Sequence, residues 1–109
     1  MSSLATDQRN IVFPLNAIMD IMLSVNPDMN ALYKNKSELS DLYKLIISSE
    51  LLTSMEKNVL KWYYQEGYRM YQIADIFGKH QSHLSRTKRN ALNKIYNTYG
   101  SEILEIIQK

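Results

Sequence analysis

Four polar side chains in the second half of the chain stand at helical spacing. Positions i, i+1, i+4 and i+5 are held by Gln81, Ser82, Ser85 and Arg86. This spacing places them together on one face of an α-helix. Glutamine and arginine can each form paired hydrogen bonds with base edges in the major groove of DNA. We therefore interpret the four residues as candidate base contacts, with plain helix surface as the alternative.

Basic residues are concentrated around this face. Residues 1–52 carry four basic and six acidic side chains, whereas residues 53–109 carry nine basic and five acidic side chains. Such segregation favours a polyanion as partner, and a solvated basic helix is the alternative. We predict contacts that position the protein on the DNA backbone without reading sequence. These predicted contacts are Lys79, His83, Lys88, Arg89 and Lys94.

A helix, a turn and a second helix are needed to present this face. A short helix over residues 70–77 and a longer one over about residues 81–99 flank Gly78, which is the order of a helix-turn-helix. Gly78 can adopt the positive φ of a tight turn. Ala74 is small where the second helix crosses, and Ile73 and Leu84 are apolar to join the two helices. Gly100 is expected to break the longer helix.

Two further helical regions precede this unit. Thr53 and Glu56 have the spacing of a capping box, and that helix should stop at Gly67. Residues 1–51 form a predicted N-terminal helical extension, in which residues 1–10 are a polar arm. Pro14 begins one amphipathic helix, and Ser37 is the predicted N-cap of another.

The extension is predicted either to complete the core or to dimerise. A lone helix-turn-helix makes few base contacts, so specificity usually comes from two copies or from a partner on the DNA. Leu15, Met19 and Met22 form an apolar stripe in which the methionines can adapt to an irregular partner. We predict a homodimer contact there, against a monomer that relies on RNA polymerase.

The composition predicts an all-α protein and no enzyme. The 109 residues are 45% hydrophobic and 22% charged, with only three Gly and two Pro. We predict two parts of the chain, which are the N-terminal helical extension over residues 1–51 and a helix-turn-helix DNA-binding domain over residues 52–109. Cysteine is absent, and no nucleotide-binding or hydrolase motif is present. His80 and His83 have no acidic or thiol neighbour within a turn, so we predict neither metal nor cofactor. No membrane or targeting segment is recognisable, and we expect a cytoplasmic protein.

An ordered series of short motifs covers about residues 52–95. The motifs are Leu52-Thr53-Ser54-Met55-Glu56, Val59-Leu60, Tyr63-Tyr64, Glu66-Gly67, Gln72-Ile73-Ala74, Phe77-Gly78, Gln81, Leu84-Ser85-Arg86 and Ala91-Leu92-Asn93-Lys94-Ile95. In order and spacing the series resembles region 4 of bacterial sigma factors.

This resemblance implies a helix-turn-helix domain that reads a promoter hexamer and touches a flap of RNA polymerase. Promoter melting in that family needs a further large domain, for which residues 1–51 are too short. We therefore expect a compact regulator of the kind found in phages and mobile elements, which binds double-stranded DNA in a sequence-specific way. The alternative is an adaptor that binds RNA polymerase or a sigma-like partner, with weak or no DNA binding.

Overall fold

The computed structural model describes residues 13–109, and every regular element in that range is helical. The predicted all-α fold class is confirmed for these residues, whereas the arm predicted over residues 1–10 lies outside them. No helix in the described range is both long and apolar enough to cross a membrane. The elements are α1 (Leu15–Ile21), α2 (Met29–Lys34), α3 (Lys36–Ser48), α4 (Ser54–Leu60), a π-helical turn (Lys61–Gln65), α5 (Met70–Phe77) and α6 (Gln81–Ile107).

The capping box predicted before α4 is present. The Thr53 hydroxyl accepts a hydrogen bond from the Glu56 backbone N–H at 3.1 Å, and the Glu56 carboxylate accepts one from the Thr53 N–H at 2.8 Å. Two free N–H groups at the helix start are thereby satisfied. α4 then continues directly into the π-helical turn, and the chain leaves it at Gly67, which has a φ of 78°.

Two predicted helix boundaries are wrong. α3 begins at Lys36, with Asn35 rather than Ser37 in the N-cap position. Gly100 does not break the long helix, because α6 runs unbroken through it to Ile107. A glycine inside a helix costs only about 1 kcal/mol relative to alanine. The burial of Ile95 and Ile103 on either side outweighs that cost.

Two clusters of buried side chains meet along α6. The larger cluster joins α1, α2 and α3 to Leu60, Tyr64 and the part of α6 that carries Ala91, Ile95 and Ile103. The smaller one lies at the start of α6 and contains Val59, Ile73, Ala74 and Leu84. The N-terminal helices therefore share a core with α6.

The apolar stripe of α1 points into this core. Leu15 and Met22 are only 0% and 1% exposed, and Met19 is half-buried against the same cluster. The homodimer contact predicted at these residues is therefore wrong for Leu15 and Met22. Their side chains are already covered by neighbouring helices of the same chain, so they offer no surface to a second copy.

Candidate nucleic-acid interface

The turn between α5 and α6 is fixed by backbone hydrogen bonds around Gly78. Gly78 has a φ of 63°, in the left-handed region. The Lys79 N–H donates to the Ala74 carbonyl at 3.0 Å, and the Gly78 N–H donates to the Asp75 carbonyl at 3.3 Å. This is the Schellman arrangement, which satisfies the last carbonyls of a helix. The chain thus turns within three residues, and α6 begins at Gln81.

Apolar contacts then hold α5 against α6. Ile73 and Leu84 are fully buried, Ala74 is nearly so, and all three belong to the smaller cluster. Half-buried side chains surround them, including those of Met70 and Phe77. The scaffold residues singled out in the sequence are therefore placed together in the structure, with Gly78 at the turn.

The first half of α6 presents its polar face outward. Gln81, Ser82 and Arg86 are exposed and Ser85 is half-buried, while Leu84 and Ala91 on the opposite side are buried. The four predicted base contacts are thus accessible beside one another.

Two further residues continue this face. Arg89 and Asn93 are exposed and lie seven and eleven positions after Ser82. This spacing places them on the same helix face as Ser82, Ser85 and Arg86. We call these five residues the α6 row. The sequence interpretation assigned Arg89 to the DNA backbone and did not single out Asn93. Extending the helical period past Arg86 would have placed both on the same face.

Exposed cationic and imidazole groups lie at the start of α6. Lys79, His80 and His83 are all exposed and border, with Gly78, an open hollow of about 420 Å³. Two predicted backbone contacts, Lys79 and His83, therefore lie beside the N-terminal end of α6. That end carries the positive pole of the helix dipole, which attracts anions.

Lys88 is held against aromatic rings. Its Nζ lies 4.2 Å from the centre of the Tyr63 ring and 5.7 Å from that of Tyr64. The Tyr64 hydroxyl donates to Asp20 Oδ2 at 2.6 Å. Burial raises the pKa of Tyr64, and the hydrogen bond and charge of Asp20 raise it further, so this phenol stays protonated. Lys88, which we predict to contact the DNA backbone, is thus held by the two tyrosine rings.

Lys94 has a partner other than the one predicted. Its Nζ donates to Glu56 Oε1 at 2.9 Å, and the Glu56 side chain is only 7% exposed. Burial raises the pKa of Glu56, but the bonds from Lys94 and Thr53 outweigh burial and leave this pKa below its ordinary value. A charged Glu56 holds the ammonium against α4, so the prediction that Lys94 contacts a phosphate does not fit this geometry.

The residue types that bind metals are not clustered in the described part of the chain. Within residues 13–109 no group of three or more His, Cys, Asp or Glu side chains is arranged to hold a metal ion. The other residues that border the hollow with His80 and His83 are Gly78 and Lys79, and neither is a metal-binding residue type.

No protein-family model, no curated protein and no solved structure matches this chain. The resemblance to region 4 of bacterial sigma factors therefore stays a prediction from the motifs.

Proposed function

We propose that this protein is a sequence-specific transcription regulator that binds double-stranded DNA in the cytoplasm. In this proposal α5, the Gly78 turn and α6 form a helix-turn-helix, and α6 is the recognition helix. The observation that carries the proposal is the α6 row, which is accessible while Leu84 and Ala91 bury the opposite face. A recognition helix needs one apolar face that packs on the rest of its domain and one polar face that contacts the bases.

The dimensions of the α6 row suit the major groove. An α-helix with its side chains is about 10–12 Å wide, and the groove is about 12 Å wide. Arg89 follows Ser82 by seven positions, which corresponds to about 10 Å along the axis and to the rise of about three base pairs. Within that length Arg86 can recognise a guanine, and Ser85 can bond to either base type.

The surrounding charges provide the contacts that position the protein. Lys79 and His83 are exposed at the start of α6, and Lys88 lies on its flank. These groups can bind phosphates on either side of the groove. The motifs shared with region 4 of sigma factors support transcription as the process and RNA polymerase as a partner.

The homodimer expected from the sequence is proposed at another surface. Leu23, Val25 and Tyr96 are exposed large apolar side chains, and the last two border a hollow of about 280 Å³ beside Gly100. Residues 21–27 and 95–101 contain no charged residue. A two-fold axis brings each patch against its own copy, so an uncharged patch avoids repulsion between like charges.

Sedimentation equilibrium tests this dimer. We expect the wild type to be dimeric and Tyr96→Lys to be monomeric at the same concentration. A wild type that stays monomeric at high micromolar concentration would contradict the proposal.

Two apolar side chains on α5 favour the adaptor as a second candidate function. Tyr71 and Ile76 are both exposed, and isoleucine is among the residue types most often buried. A protein partner such as RNA polymerase would cover them. An adaptor that works in this way would bind no duplex specifically at any salt concentration.

Selection of bound sequences from a random duplex pool tests the proposed function. We expect one enriched motif, and we expect Arg86→Ala to lower the affinity for it by about 1–3 kcal/mol and to relax one or two positions. Lys36→Ala, at the start of α3, is the matched control and should bind normally. Equal losses on selected and random duplexes would show that Arg86 contacts only phosphate.

A further inference from the structure

The π-helical turn places two tyrosine rings beside α6. A π-helix rotates less per residue than an α-helix, so neighbouring side chains can approach the same partner. The Tyr63 and Tyr64 rings pack edge to face, with 4.9 Å between centres and an 84° angle. The Lys88 Nζ lies above Tyr63, and Asp20 of α1 accepts the hydrogen bond from Tyr64. A continuous chain of contacts thus runs from α1 through the two rings to Lys88.

This chain ends at a groove beside the α6 row. Ser85, Lys88 and Arg89 border one side of the groove, and Asp20 and Leu23 border the other. Its volume is about 330 Å³. The ammonium of Lys88 and the guanidinium of Arg89 supply the charged donors that bind a phosphodiester. The Asp20 carboxylate on the other side already accepts the bond from Tyr64, which orients it toward that ring.

We infer that Tyr63, Tyr64 and Asp20 are positioning residues, which hold the Lys88 ammonium ready for a DNA backbone phosphate in this groove. The inference rests on the proposed function, since the phosphate belongs to a bound duplex. A free lysine side chain loses many rotamers when it is ordered, and that loss weakens binding. A cation already held over an aromatic ring loses less. The N-terminal extension thereby acts on DNA affinity without contacting a base.

A comparison of affinity with salt dependence separates positioning from contact. Lys88→Met removes one phosphate contact, so the slope of log K against log salt becomes shallower by about 0.9. Tyr63→Leu leaves the charge in place, so it weakens binding by about three- to tenfold with an unchanged slope. Tyr63→Phe keeps the ring and should bind like the wild type. A merely structural role for Tyr63 would not produce this pattern.

The experiment is a double-mutant cycle on the full chain. Binding to a fluorescent 20-base-pair duplex of mixed sequence is measured by anisotropy at four salt concentrations. The proteins are the wild type, Tyr63→Leu, Lys88→Met and the double variant. Tyr68→Leu is the matched control, because that ring stacks on Trp62 at 5.1 Å, whereas the Lys88 ammonium lies over the rings of Tyr63 and Tyr64. Tyr63→Met is a second ring-free variant that is used where Tyr63→Leu does not fold.

We expect the double variant to bind like Lys88→Met alone, because without the ammonium the ring has nothing to position. A loss from Tyr63→Leu that is equally large without Lys88 would overturn the inference and leave the proposed function intact. Tighter binding by Tyr63→Leu would also overturn it, since the ring would then hold Lys88 away from DNA. A wild type that binds no duplex even at low salt would instead overturn the proposed function and this inference with it.

Discussion

Lys94 and Glu56 join α6 to the start of α4, and Lys94→Met tests how much this link stabilises the fold. Lys94 Nζ lies 2.9 Å from Glu56 Oε1, and the Lys94 and Glu56 side chains are 41% and 7% exposed. Without the ammonium, Glu56 keeps only the Thr53 N–H as a hydrogen-bond donor among the described residues. A buried carboxylate would then lack a partner for its charge.

The size of the expected destabilisation follows from the difference in burial between Glu56 and Lys94. A hydrogen bond to a charged group contributes about 1.5–3 kcal/mol, and the partial exposure of Lys94 reduces that value. We therefore expect Lys94→Met to lower the free energy of unfolding by about 1–2 kcal/mol. One kcal/mol corresponds to about 4–8 °C of melting temperature for a domain near this size.

The loss should depend on pH in a direction that the structure defines. The pKa of Glu56 lies below its ordinary value of 4.5 in the folded protein, so its charged form stabilises the fold. This contribution is complete above pH 4.5 and is lost as the pH falls through the folded-state pKa. The difference between wild type and Lys94→Met should therefore be largest near pH 6–7 and shrink in stronger acid.

Urea denaturation followed by circular dichroism at pH 7, 5, 4 and 3 provides the measurement. Lys109→Met is the matched control, because its 2.6 Å pair with Glu38 has both side chains more than half exposed. Such a surface pair contributes about 0–1 kcal/mol. An effect of Lys94→Met that is no larger than this control, or that does not change with pH, would refute the assignment of a stabilising buried link.

Three substitutions test the scaffold around α6. Ala74→Leu should destabilise the fold by about 1–3 kcal/mol in thermal denaturation, because the added bulk enters the buried contact between α5 and α6; normal folding and binding would contradict that packing. Gly78→Ala should cost about 1 kcal/mol from backbone strain alone, since its new Cβ meets no atom within 4 Å; unchanged stability would contradict the left-handed turn. Gly100→Ala should raise the melting temperature, because alanine favours the helix. The new Cβ would lie 3.3 Å from the Tyr96 side chain, which can move. A lower melting temperature would show that the ring cannot shift.

Features set by neighbouring residues could be predicted from the sequence. The Thr53–Glu56 capping box and the left-handed Gly78 turn depend on contacts within a few residues, so their residue types identify them. The alternation of buried Leu84 with exposed Ser82 and Arg86 follows directly from helical period. These local signals also select the candidate site on α6.

Features that depend on tertiary contacts could not be predicted. Lys94 reaches Glu56 from 38 residues away, so charge alone made it resemble a phosphate contact. The burial of Met22 depends on how the N-terminal helices fold back on α6, which an amphipathic stripe does not specify. The π-helical turn has no sequence signal of its own, yet it brings Tyr63 beneath Lys88.

The salt dependence of duplex binding tests the proposed function most directly. The full chain is titrated with its selected duplex and with a scrambled duplex between about 50 and 300 mM salt. We predict tighter binding to the selected sequence and a log–log slope of about −0.9 for each of Lys79, Lys88 and Arg89, which together give about −2.7. Absence of duplex binding at 50 mM salt, or equal affinity for both duplexes with a flat slope, would contradict the proposal that α6 reads DNA.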